Sequence, residues 1–159
     1  MRLFALVVVT SLLSVGLVRA DNVSGREGWQ VLPTEKRYPV LVEDLRSAIE
    51  EEGMLIVTQA SASDGARGRG LSIPGNRVIG VYRNDYAVRM LEASVTAGIE
   101  APIRFYVTEN ADGTATLSWK TPGFVFAPYM EEGGQALQEL ARELDQVFSS
   151  IADKAVASQ

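Results

Sequence analysis

Apolar and polar positions along this chain fall into blocks whose period names an element. Trp29 to Leu32 predicts a short strand closed by Pro33. From Val40 to Glu52, the residues Leu41, Leu45, Ala48 and Ile49 recur at i, i+4, i+7 and i+8, one face of a helix. Gly53 ends that helix, because glycine takes the left-handed conformation without strain. Met54 to Thr58 is a short apolar run and predicts a buried strand, while Ser61 to Gly75, rich in small residues and glycine, predicts a loop. Arg77 to Arg83 predicts a second central strand, with Ile79 and Val81 on one face and Val78 and Tyr82 on the other. Asn84 or Asp85 then caps a helix whose inner stripe is Ala87, Met90, Leu91, Ser94 and Val95, stopped by Gly98 and Pro102.

The second half is more regular. Ile103, Phe105 and Val107 alternate with Arg104, Tyr106 and Thr108, and Ala115, Leu117 and Trp119 alternate within Thr114–Lys120. Asn110-Ala111-Asp112-Gly113 joins the two strands as a hairpin turn. From Gln135 to Val156, a stripe of Leu137, Leu140, Leu144, Val147, Phe148 and Ile151 predicts a helix long enough to cross a sheet. The order strand, helix, strand, strand, helix, hairpin, long helix predicts an α+β fold. It is a two-layer sandwich, with helices on one face of an antiparallel-rich sheet and an extra helix after the third strand.

The first twenty residues stand outside that domain. A basic start at Arg2, an apolar stretch from Leu3 to Val18 and the triplet Val18-Arg19-Ala20 make the pattern of a secretory signal peptide cut after Ala20. The stretch is shorter than the roughly 20 apolar residues of a membrane span, and Thr10, Ser11 and Ser14 interrupt it. The expected organisation is a signal peptide at 1–20, a loose mature N-terminus at 21–28, one domain at 29–156 and a tail at 157–159. The expected location is the periplasm or the medium.

The 159-residue chain carries 15 basic and 20 acidic residues, a formal charge of −5. Loss of Arg2 and Arg19 would leave 13 basic residues and a charge of −7. Such a domain is repelled by phosphate backbones and anionic lipid, so no nucleic acid and no membrane surface is expected as a partner. Absence of cysteine means the exported domain relies on its core and not on disulfides. Absence of both cysteine and histidine removes the commonest metal ligands and nucleophile–base pairs, so neither metal nor cofactor is expected.

Few motifs remain that carry chemistry. Gly65-Ala66-Arg67-Gly68-Arg69-Gly70-Leu71-Ser72 approaches a phosphate loop, but Leu71 stands where the lysine is needed and a strand follows in place of a helix. What survives is a loop in which Arg67 and Arg69 offer two guanidiniums to a carboxylate or phosphate. The Asn110–Gly113 turn lacks the ligands of a calcium loop, and Glu50, Glu51 and Glu52 make at best a weak cation site. Glu43, Asp44, Glu131 and Glu132 could serve acid–base chemistry by type only. Arg104, mid-strand and opposite the apolar face, is a candidate interface anchor or anion contact.

Several of these pieces occur together in an ordered series. Glu-Glu-Glu-Gly53 leads into Met54–Thr58, then Arg67 in its small-residue loop, then Val78-Ile79-Gly80-Val81-Tyr82 with Asn84. Gly98-Ile99-Glu100-Ala101-Pro102, the hairpin Glu109–Gly113, Leu117-Ser118-Trp119 and Pro122 follow. From Trp29 to Ala155 the chain resembles the bacterial family catalogued as domain of unknown function 302. The resemblance implies a strand–helix–four-strand–helix sandwich of the TATA-binding-protein-like, or helix-grip, type, often dimeric, and no established activity. The chain departs from the commoner pattern at Asp85, where many members have proline, and at Ala101, often leucine.

The expected function is a non-enzymatic exported domain that binds a small anionic ligand or a protein partner. The alternative is a metal-free lyase or hydrolase acting on an acidic small molecule. The expected ligand contacts are Arg67, Arg69 and the corner at Asn84, gathered at a cavity between helix and sheet, with Arg104 outlying.

Overall fold

A computed structural model describes residues 23–157. The signal peptide expected at 1–20, its expected cleavage point and the last residues of the tail lie outside these. Five strands form one sheet in the order β1-β5-β4-β3-β2: β1 Trp29–Arg37, β2 Leu55–Ala60, β3 Asn76–Tyr82, β4 Ile103–Glu109 and β5 Thr114–Lys120. Every neighbouring pair is antiparallel. Two long helices, α1 Tyr38–Glu51 and α5 Met130–Val156, pack side by side on one face. Shorter helices α2 Ala62–Arg67, α3 Asn84–Ala93 and α4 Pro122–Phe126 occupy the connections. The expected α+β two-layer sandwich, with its extra helix after the third strand, is the architecture observed.

The core follows from matched periodicities. Ile79 and Val81 of β3, Phe105 and Val107 of β4, and Ala115, Leu117 and Trp119 of β5 are all buried against the helices. Leu41, Leu45, Ala48 and Ile49 of α1 and Leu137, Leu140, Leu144, Phe148 and Ile151 of α5 meet them. Phe148 stacks on Phe105 with ring centroids 4.6 Å apart, and Phe105 tilts against Trp119 at 5.6 Å. Lys36, at the end of β1, ties the layers together: its ammonium lies 2.6 Å from Asp44 of α1 and donates to the Ala155 carbonyl of α5 at 2.9 Å.

Several local expectations are corrected. Pro33 does not close β1, which runs on to Arg37. The strand is the sheet's edge, where the missing proline N–H leaves no partner strand unsatisfied. The apolar run at Met54 is not a buried central strand. It is the other edge, with Leu55 60% and Val57 48% exposed and a register irregularity between Ile56 and Thr58. The Ser61–Gly75 loop contains α2, whose cap Ser61 accepts the Asp64 N–H at 3.1 Å. The acidic run at the end of α1 meets a cation of the chain itself: Glu51 and Glu52 face Lys154, and Glu52 also takes the Ser150 hydroxyl at 2.6 Å.

The α3 region differs most. Neither Asn84 nor Asp85 caps it. Arg83 occupies the cap position without a side-chain capping bond, and Asn84 is the first helical residue. The helix ends at Ser94, ahead of Gly98, and Leu91 and Val95 face solvent while Met90 is buried. A 3-10 turn, Thr96–Glu100, leads from there to the cis peptide Ala101–Pro102. The long helix begins at Met130, five residues before the expected start at Gln135, and is interrupted at Gly134, where φ is 55°.

Because Phe148 is fully buried and stacked at the centre of the sandwich, Phe148→Ala should cost about 3–5 kcal/mol of stability. Denaturant unfolding reads this directly, and a midpoint unchanged from wild type would place α5 outside the core.

Candidate functional site

With the helices on one side, strand alternation leaves the other side of the sheet uncovered. On β4 the same step that buries Phe105 and Val107 turns Arg104 and Tyr106 to the open face, Arg104 exposed and Tyr106 half-buried. The register pairs Val78 with Tyr106 and Tyr106 with Ser118, so these three form one row across β3, β4 and β5. Ser118, wholly buried in that row, donates to the Tyr106 carbonyl at 3.4 Å. In the next row, Gly80 pairs with Arg104 and Trp29 pairs with Lys120. Phe105 pairs with Trp119, so the step before it sets Arg104 across from Lys120.

This face forms the floor of a hollow of ≈ 740 Å³, and α4 with the 3-10 turn after it forms a wall through Phe124, Val125 and Pro128. The wall is fixed to both ends of its surroundings. Thr121 caps α4 by accepting the Phe124 N–H at 3.3 Å, and the Thr121 N–H donates to the Gly28 carbonyl at 2.9 Å. Gly28, with φ 71°, lies against the Phe124 ring, so that a Cβ there would run into it. On the helix side, Asp145 of α5 accepts the Gly123 N–H at 3.0 Å. At the floor's far end, Gly80 leaves room for Pro102, whose Cγ would stand 2.9 Å from a Cβ at that position.

The charges around the hollow are unevenly partnered. Glu100, its carboxylate, accepts the Tyr129 hydroxyl at 2.8 Å, which pushes the Tyr129 phenol above its ordinary range. Lys120 places its ammonium 6.0 Å from the Trp29 ring centroid, and the Arg26 guanidinium lies 5.5 Å from the same ring. Aromatic faces attract cations at such distances. The carboxyl that burial raises, Asp145, belongs to the wall's anchor and does not line the hollow. Among the residues that line the hollow, Glu100 is the one carboxylate, so no pair of carboxylates is placed in reach of one bound molecule.

Three of the four residues expected to hold a ligand lie elsewhere. Arg67 is 78% exposed beside Asp64 at 3.3 Å, and Asp64 also pairs with Arg77. Arg69 is exposed in the turn after α2. Asn84 accepts the Tyr82 hydroxyl at 3.2 Å. The arginines stand beside the start of β3 and Asn84 beyond its end, roughly 20 Å away along the strand, so they share no concavity. The cavity expected between helix and sheet is an apolar space of ≈ 40 Å³ near Met54, Met90 and Phe148, room for little more than one water. Arg104 alone lines the hollow. Lys120, Trp29 and Phe124 were missed, although the pairing of two alternating strands through a four-residue turn was enough to set Lys120 near Arg104.

Among the described residues no group of three or more acidic side chains is placed to hold a metal ion, and no helix is long and apolar enough to cross a membrane. Residues 30–154 match the family described as domain of unknown function DUF302. A crystal structure of an uncharacterized conserved DUF302 protein from Bacillus stearothermophilus superposes with a TM-score of 0.71 at 18% identity, covering 82% of this chain and 99% of that one. No curated protein matches the chain.

Asp145 gives the site a measurable pH signature. Burial raises its carboxyl above the ordinary aspartate value near 3.8, against the Gly123 N–H, which favours the ionised form. The folded state therefore prefers the protonated acid. That contribution is complete below the ordinary value and is lost as pH rises through the raised one. Asp145→Asn keeps an acceptor for Gly123 without the titration. Melting temperatures across the acid range should fall for wild type relative to the variant as pH climbs through that window; parallel profiles would contradict the assignment.

Proposed function

The chain belongs to the DUF302 family, and from that premise we propose that it is an exported, non-enzymatic domain that holds a small ligand on the helix-free face of its sheet. The observation that carries this reading is the contrast between the two faces: ≈ 740 Å³ of walled hollow on one, ≈ 40 Å³ of space on the other. The larger volume lies within the range of small-molecule sites, roughly 300–1,000 Å³, and its lining combines aromatic surface with a few polar groups in the same manner. Export is supported by the basic start, apolar stretch and Val18-Arg19-Ala20 triplet of the first twenty residues. The acidic excess of the chain argues against nucleic acid or an anionic membrane as the target.

A second reading, association with another copy of the chain, is favoured by a different observation. The two sheet edges are unequal. β1 carries Pro33, Glu35, Lys36 and Arg37, the residues that discourage strand addition, whereas β2 is Leu-Ile-Val-Thr-Gln-Ala, uncharged and exposed. Two such edges meeting antiparallel about a two-fold axis would set no like charges opposite each other.

Native mass spectrometry of the protein recovered from the periplasmic or secreted fraction tests both readings at once. The expected species begins at Asp21 and carries a small molecule that leaves on mild activation. A chain beginning at Met1 would contradict export. A bare chain that takes up nothing from the small-molecule extract of the same fraction would contradict the ligand reading. A doubled mass that Val57→Lys abolishes would establish the second.

A further inference from the structure

The charges on the hollow's floor name the chemistry of its occupant. Resting on the reading of this face as a ligand site, we infer that the ligand is a small organic acid with a planar apolar body, its anionic group held between Arg104 and Lys120.

The first observation is a like-charge pair. The β4–β5 register, carried one step beyond the pair Phe105 and Trp119, sets Arg104 across from Lys120. Residues so placed have Cβ atoms about 4.5–5.5 Å apart, and like charges there destabilise the sheet. Neither residue forms an ion pair with a described carboxylate. Several other cations of this acidic chain do so, among them Lys36 with Asp44, Arg83 with Asp85, Arg89 with Glu143 and Lys154 with Glu52. The hollow's own carboxylate, Glu100, is engaged by Tyr129. Two cations thus share one face of a chain of net charge −5, and neither has an ion-pair partner among the described residues. An anion bound between them would relieve the repulsion and gain charge-assisted hydrogen bonds from a guanidinium and an ammonium together.

The second observation is the surface beside them. Trp29, Tyr106 and Phe124 line the same hollow, and Lys120 already lies over the Trp29 ring. Aromatic faces around a cationic point suit a flat apolar body that carries one acidic group at its edge. A compact inorganic anion would leave those rings bare, and a neutral ring compound would leave the cations unpaired.

Two fluorescent probes that share one ring system separate these possibilities. 8-Anilinonaphthalene-1-sulfonate has the planar body and the anion; N-phenyl-1-naphthylamine has the body alone. Purified protein should bind the sulfonate the more tightly, and the preference should shrink at high salt. Replacing both cations, Arg104→Gln with Lys120→Gln, should weaken the sulfonate roughly tenfold or more while leaving the neutral probe unchanged. Phe124→Ala should weaken both probes. Arg104→Gln alone should raise the melting temperature of the unliganded protein, because it removes the repulsion while leaving Lys120 on the Trp29 ring, and this readout stands even where the double variant folds poorly. If the double variant binds the sulfonate as wild type does while Phe124→Ala still weakens both probes, the hollow is a ligand site and the acid assignment is overturned. If neither probe responds to Phe124→Ala, the site reading beneath it fails as well.

Discussion

The stack of Phe148 on Phe105 is the contact from which the rest of this molecule follows. It joins the middle of the long helix to the middle strand of the sheet, and α1 fills the remaining width of the same face. A five-stranded sheet has two faces, and here the long helices lie on one of them. Strand geometry then leaves no freedom about what the other face displays. Each residue that β4 buries for the core is followed by one that it presents outward, so the alternation that makes Phe105 and Val107 the centre of the sandwich makes Arg104 and Tyr106 the floor of the hollow. Stability and candidate function are written into alternate positions of the same seven residues.

The rim depends on small features with specific causes. Gly28 is needed twice, for a positive φ and for the approach of the Phe124 ring. Gly123 is close to Asp145, whose carboxyl would stand 2.9 Å from a Cβ at that position, and the same pair supplies the hydrogen bond that fastens α4 to α5. These contacts make the wall part of the sandwich and not a loose appendage. The sheet edges show a comparable division: one is blunted by proline and charge, the other is bare.

The architecture was legible in the sequence because its strongest signals are long. The stripe from Leu137 to Ile151, the face of α1 and the two alternating strands joined at Asn110–Gly113 each repeat several times, and the elements observed have those residues where expected. Short elements were read less well. Pro33 signals a strand end only if the strand is central, and edge position is a property of the whole sheet. The apolar run at Leu55 looked buried because composition does not distinguish a core strand from an exposed edge. Asn84 has the chemistry of a cap, yet the chain enters α3 one residue earlier and its side chain turns to Tyr82. The site was legible in one residue. Arg104 could be found because a charge stood mid-strand opposite an apolar face, and the Asn110–Gly113 hairpin carries its relation to Lys120, whereas its relation to Trp29 and Phe124 needs the strand order β1-β5-β4, which no local pattern encodes.

The central claim is that the helix-free face, and not the helix–sheet interior, receives the ligand. Amide and indole chemical shifts in the presence of 8-anilinonaphthalene-1-sulfonate test it most directly. The account predicts that shifts concentrate at Trp29, Arg104, Tyr106, Ser118, Lys120 and Phe124, with the interior side near Met54, Met90 and Leu144 unmoved. Shifts confined to that interior side, with Arg104 and Lys120 silent, would contradict it.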